Sequence, residues 1–138
     1  MPKILIIDDN PDIIETLELF LKDVGYEVIS ASNGDKGLNL AMQAKPNLII
    51  LDAMMETADK GFEVARQLKG NQDYSNIPII MLTALKEQTG FDFKKEARNE
   101  TWLPVDDYCD KPVILDELDV KIKKLLKNSW IKLPKDNH

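Results

Sequence analysis

Leu48-Ile49-Ile50-Leu51, followed at once by Asp52, decides the fold of this chain. Four consecutive apolar residues without polar alternation read as a strand buried on both faces, as in a parallel sheet. A carboxylate placed one residue past such a strand is delivered to the rim of the sheet. The pattern recurs outward in both directions. Ile4-Leu5-Ile6-Ile7 runs into Asp8-Asp9, and Ile79-Ile80-Met81-Leu82 runs into Thr83. In an open parallel α/β sheet, ligands bind at the carboxyl ends of the strands. Three acids and a hydroxyl are therefore expected to converge, and Lys111 joins them after a short fifth strand at Asp107–Cys109.

Between the strands the periodicity is helical. Lys3–Ile7 is the first strand, and Asn10-Pro11 then supplies an N-cap and a proline at the first helical position. Ile14, Leu17, Leu21 and Val24 recur at helical spacing until Gly25. Tyr26–Ala31 reads as the second strand, Gly34–Ala44 as a helix, Leu48–Leu51 as the third strand and Phe62–Lys69 as a helix. Ile77–Leu82 is the fourth strand, and Ile114–Lys127 a last helix carrying Leu118, Ile122 and Leu125. From Gly90 to Asp106 no helical stripe is sustained. Alternating strands and helices imply an α/β layer fold, with right-handed crossovers placing helices on both faces of a parallel sheet. One domain over residues 1–127 is expected, then a short tail at 128–138 and no output domain.

Bulk composition narrows the function. A chain of 138 residues is one domain, long enough to bury roughly two-thirds of its unfolded surface. With 43% apolar and 30% charged residues it reads as an ordinary globular protein. The net charge of −6 argues against direct nucleic-acid binding, which favours a basic face. Cys109, the single cysteine, has no disulfide partner, and no Cys/His cluster has zinc spacing. Met1-Pro2-Lys3 enters a strand with no signal-peptide pattern, and no apolar run approaches the ~18 residues of a membrane span, so a cytoplasmic location is expected.

Asp8, Asp9 and Asp52 brought together repel one another unless a cation binds, because like charges raise carboxylate pKa values. Oxygen-only ligands select a hard ion such as Mg²⁺. Taken singly, each aspartate reads more readily as a helix cap, Lys111 as a solvated lysine and Thr83 as a strand former. Three acids at two strand ends make a shared capping role improbable. A carboxylate beside a metal can act as a nucleophile on phosphorus, with a lysine neutralising the transferred group.

In this arrangement the chain resembles the receiver domain of two-component response regulators. The matching residues are Asp8-Asp9, Asp52, Thr83-Ala84, Tyr108 and Lys111-Pro112, in order and at compatible spacing from about Lys3 to Lys127. The resemblance implies a flavodoxin-like (βα)5 fold, a doubly wound five-stranded parallel sheet in strand order 2-1-3-4-5. It implies that Asp52 accepts a phosphoryl group from a sensor histidine kinase or histidine phosphotransfer protein. Asp9, Asp8, Asp52 and the backbone carbonyl of Met54 would hold Mg²⁺, and Thr83 and Lys111 the phosphoryl oxygens. Thr83 and Tyr108 would switch a surface for an unidentified output protein or, on phosphorylation, a second copy of the chain; Tyr108 reads equally as a half-buried strand tyrosine. The Lys111–Pro112 bond would be cis. Such a receiver is a signalling module rather than an enzyme.

Two departures from the family pattern stand out. Asp52-Ala-Met-Met-Glu-Thr-Ala-Asp-Lys-Gly has Glu56 in place of a proline and one residue more before Gly61, which puts Glu56 near the metal or in a solvated loop. Thr83 and Lys111 lie 28 positions apart, several more than usual, so the fourth helix is expected to be short, displaced or replaced by a loop. The alternative function is a Mg²⁺-dependent aspartyl-phosphate phosphohydrolase, which generally needs a second carboxylate two residues past the nucleophile. That position is Met54. A nucleotide or flavin site is disfavoured too, since the acidic first turn Asp-Asp-Asn-Pro-Asp lacks the glycines that cradle phosphate.

Overall fold

The computed structural model describes residues 1–55, 60–83 and 105–132, the side chains of 128–132 excepted. In chain order the elements are β1 (Lys3–Ile7), α1 (Pro11–Asp23), β2 (Glu27–Ala31), α2 (Gly34–Ala44), β3 (Leu48–Asp52), α3 (Lys60–Lys69), β4 (Ile79–Thr83), β5 (Asp107–Asp110) and α4 (Leu115–Lys132). The five strands form one parallel sheet in the order β2-β1-β3-β4-β5. This is the flavodoxin-like order that the resemblance to receiver domains implies. Glu56 and the stretch from Gly90 to Pro104, with the expected fate of a helix there, lie outside the described residues.

Strands β3 and β4 are buried along their whole length, and alternate side chains go to opposite layers. Leu5, Ile7, Ile49, Leu51, Ile79 and Met81 pack on one face with Ala41 of α2 and Phe62, Val64, Ala65 and Leu68 of α3. Ile4, Ile6, Leu48, Ile50, Ile80, Leu82 and Cys109 pack on the other, against Leu17 and Leu21 of α1 and Leu118 and Ile122 of α4. Each fully buried Leu or Ile contributes about 1.5–3 kcal/mol of transfer free energy. This two-sided core explains why the strands read as unbroken apolar runs.

The boundaries differ from the sequence reading in informative ways. Asp52 and Thr83 are the last residues of β3 and β4 rather than the first beyond them, because Asp52 pairs with Leu82 and Thr83 with Asp110. Tyr26 stays outside β2, its N–H donating to Leu21 O at 3.0 Å to close the end of α1. β4 begins at Ile79 rather than Ile77, since Ile77 N–H closes a turn onto Tyr74 O at 3.1 Å. α4 begins at Leu115 and runs on to Lys132, past its predicted end at Lys127; no glycine or proline interrupts Asn128–Lys132.

The start of α3 is tied to the end of β3. Gly61 N–H donates to Ala53 O at 3.0 Å. A Cβ at Gly61 would overlap Asp52 O and stand 2.6 Å from Ala53 Cα. Both obstacles are backbone, so neither yields cheaply. Gly61→Ala is expected to destabilise the chain by about 2–3 kcal/mol in urea unfolding; an unchanged midpoint would show that α3 can withdraw from the Asp52 loop.

Candidate functional site

The chain leaves β1 toward β2 on one side and crosses back to β3 on the other, which makes the carboxyl ends of β1 and β3 the switch point of the sheet. The sequence-predicted acids meet there. One carboxylate oxygen from each of Asp8, Asp9 and Asp52 lies within 4.8 Å of the others. Asp8 is fully buried, Asp52 is 3% exposed, and Asp9 is open to solvent.

Backbone donors fix these groups. Asn10 N–H donates to Asp8 Oδ1 at 2.9 Å, while the Asn10 side chain accepts from Asp12 N–H at 2.9 Å as the N-cap of α1. Helix initiation thus also orients Asp8. Asp52 Oδ1 accepts from Met54 N–H at 3.3 Å and from Lys111 Nζ at 3.0 Å. Lys111 Nζ stands 3.8 Å from Asp8 Oδ2, a long ion pair. Among the described residues, Asp8 Oδ2 is buried and accepts no hydrogen bond.

The electrostatics follow from this geometry. Burial, reinforced by the charge of Asp8, pushes Asp52 up to about 6, although Lys111 and the Met54 N–H pull the other way. Burial also raises Asp8, against the Asn10 N–H and Lys111. One ammonium therefore does not offset the acids gathered around it.

The remaining predicted residues take the same rim or lie just below it. Thr83 is buried at the end of β4, and its carbonyl accepts from Lys111 N–H at 2.9 Å. That bond fixes the backbone from which Lys111 reaches Asp52. The Lys111–Pro112 peptide is cis. Tyr108 is half-buried on β5 opposite Met81, two rungs below Thr83, and so stands apart from the acids. Sequence reasoning missed the Asn10 and Met54 N–H donors and the close approach of Gly61. Backbone contacts of this kind leave no residue-type signature.

A buried, unbonded carboxylate oxygen facing two further acids is the donor set of a hard divalent cation: all oxygen, net negative, with one side open to water at Asp9. The residues present fit such an ion, with Asp8, Asp9 and Asp52 as its holders. The ion would offset both the burial and the Asp8 charge that raise Asp52.

Comparison with known proteins places this geometry. A family profile described as response regulator receiver domain matches residues 4–123. The DNA-binding dual master transcriptional regulator RpaA of Synechocystis sp. (strain ATCC 27184 / PCC 6803 / Kazusa) is 38% identical over 133 residues, covering 94% of this chain and 51% of RpaA. The chain spans about half the length of the curated relatives it matches. The signal receiver domain of a signal transduction histidine kinase from Syntrophus aciditrophicus superposes with a TM-score of 0.80 at 29% identity, covering 98% of this chain and 96% of that one. The receiver domain of sensor histidine kinase PA1611 from Pseudomonas aeruginosa PAO1, solved with a magnesium ion in its active site cleft, gives 0.76 at 25% identity, covering 91% and 98%. With the strand order, the acids at the switch point and a match along nearly its whole length in agreement, this chain belongs to the response regulator receiver domain family.

Proposed function

We propose that Asp52 takes a phosphoryl group from a histidine kinase or histidine phosphotransfer protein, and that the modified site alters a protein-interaction surface through Thr83 and Tyr108. The observation that carries this reading is the buried Asp52 carboxylate, held at 3.0 Å by Lys111 beside the unbonded Asp8 Oδ2. Asp8, Asp9, Asp52 and the Met54 carbonyl would hold Mg²⁺, as a magnesium ion sits in the cleft of PA1611. When bound, that ion supplies charge neutralisation for the acids and the incoming phosphoryl oxygens.

The chain's own residues do the rest. The Met54 backbone N–H and the Lys111 side-chain ammonium orient the Asp52 carboxylate for in-line attack on phosphorus. The new O–P bond forms as the P–N bond to the donor imidazole breaks, and the electron pair leaves with the ring. Lys111 then sits where a phosphoryl oxygen accumulates charge, and the Thr83 hydroxyl offers a second donor. Met54, two residues past Asp52, provides no acid or base for a phosphohydrolase cycle, which favours a signalling acceptor over an enzyme. We place the chain in the cytoplasm with its donor; no helix among the described residues is long and apolar enough to cross a membrane.

Incubation with phosphoramidate and Mg²⁺, followed by intact mass and borohydride trapping, tests the reading. One phosphoryl group per chain, mapped to Asp52 and lost with a chelator, is expected. An adduct elsewhere, or none, would overturn it.

A further inference from the structure

The C-terminal helix reaches round the outer strand to one aromatic ring. Lys121 Nζ of α4 lies 5.4 Å from the centroid of the Tyr108 ring. The same ammonium donates to Asp107 Oδ1 at 3.1 Å, and that oxygen also accepts from Tyr108 N–H at 2.8 Å. The contacts close a loop: the Tyr108 backbone fixes the Asp107 carboxylate, Asp107 fixes the ammonium, and the ammonium faces the Tyr108 ring. Burial draws Lys121 down, but the hydrogen bond and charge of Asp107 outweigh it and keep the group above its ordinary value. The cation is therefore permanent at physiological pH. Among the described residues, a cleft of about 390 Å³ beside this group is lined by Lys111, Lys121, Tyr108 and Ile114 together. The lysine that holds Asp52 and the lysine that faces the ring thus line one cleft.

We propose that Lys121 is a positioning residue for Tyr108: its ammonium, anchored by Asp107, retains the ring in the orientation seen here and sets how readily the ring leaves when Asp52 is phosphorylated. The inference rests on Asp52 being the phosphoacceptor. Asp107 lies on the same strand as Tyr108, so its pairing with Lys121 survives movement of the ring, and of the contacts Lys121 makes it is the cation–ring attraction that is given up. At a partly exposed site that attraction is modest, equivalent to roughly a two- to fivefold bias in the ring's equilibrium. Lys121 is accordingly a trim on the switch rather than a lock.

The test uses the full chain labelled with 3-fluorotyrosine and followed by ¹⁹F NMR, with Tyr108→Phe assigning one of the three tyrosine resonances. In Lys121→Met the Tyr108 resonance of the unphosphorylated chain is expected to move toward its phosphorylated position, with the ratio of the two ring positions shifted roughly two- to fivefold. Lys121→Arg, which keeps a cation over the ring, restores the wild-type signal. A Tyr108 resonance unmoved in Lys121→Met, even with a lowered Tm, would reduce Lys121 to a structural ion pair and overturn the proposal. So would failure of Lys121→Arg to rescue. Intact mass separates the two readings: a chain that takes no phosphoryl group refutes the acceptor role of Asp52, while the unphosphorylated spectra still judge Lys121.

Discussion

Asp52→Asn is expected to lose phosphoryl acceptance completely and, in the same molecule, to gain stability at pH 7 without Mg²⁺. Asparagine is isosteric and keeps an oxygen for Lys111, so the loss is chemical: the amide oxygen is no nucleophile toward phosphorus. The gain is electrostatic. Asp52 sits at about 6 in the folded chain against an ordinary carboxylate value of 3.8. A folded-state pKa above the unfolded one means the native chain binds the proton more tightly. Stability is then greatest below about 4 and declines as pH rises to about 6, where the wild type must carry a buried charge beside Asp8. Two pKa units correspond to a ceiling near 3 kcal/mol. A gain of about 2 kcal/mol in Asp52→Asn, or roughly 6–10 °C in Tm, is a reasonable expectation at pH 7. The difference between variant and wild type should close toward pH 4, where both carry a neutral group. Saturating Mg²⁺ should close it from the other side, since binding stabilises the native wild type by mass action. Calorimetric scans from pH 4 to 7.5, with EDTA and with Mg²⁺, give all of these differences. A variant less stable than wild type at pH 7 in EDTA would show that the acid cluster is not strained by its own charge.

That strain was legible in the residues, and its distribution was not. Unbroken runs such as Leu48–Leu51 announce strands buried on both faces, because only a sheet covered twice tolerates no polar alternation. Asp8, Asp52 and Thr83 are found at the rim for the same reason: each is where such a run stops. Asp8-Asp9, by contrast, is a pair of identical neighbours that only the folded backbone tells apart. Asp8 is buried and oriented by Asn10 N–H, while Asp9 is exposed to water. The start of α3 two residues before Phe62 depends on Gly61 docking against the backbone of Asp52 and Ala53, a contact between segments that local periodicity does not encode. The Lys121–Asp107–Tyr108 loop is invisible for a similar reason. It joins a helix to a strand 13 positions away (121 − 108) through side chains ordinary for a solvated surface.

Lys111→Met separates the two roles of the lysine, and its effects should have opposite signs. Lys111 Nζ contacts both buried acids, at 3.0 Å from Asp52 Oδ1 and 3.8 Å from Asp8 Oδ2. Removing it in EDTA leaves the carboxylates without their nearest cation, so Asp52 should rise further and the native state lose about 1–3 kcal/mol. This is less than the 3–5 kcal/mol typical of breaking a fully buried pair, because Lys111 is partly exposed and a proton can take its place. The divalent site responds in the other direction. A positive charge about 4 Å from a second cation opposes it by up to ~4 kcal/mol per unit of that cation's charge at an effective dielectric near 20. Relief of even a third of that tightens Mg²⁺ binding about tenfold. Isothermal titration with Mg²⁺ should therefore show higher affinity in Lys111→Met, and the Tm deficit seen in EDTA should shrink as Mg²⁺ is added. Transfer from phosphoramidate should nevertheless slow, because the lysine that meets the developing phosphoryl charge is gone. Tighter metal binding with slower transfer cannot arise from general damage to the fold, which would weaken both. If Mg²⁺ binding is unchanged or weaker, the ammonium and the ion do not share the acids, and the site must hold its cation some other way.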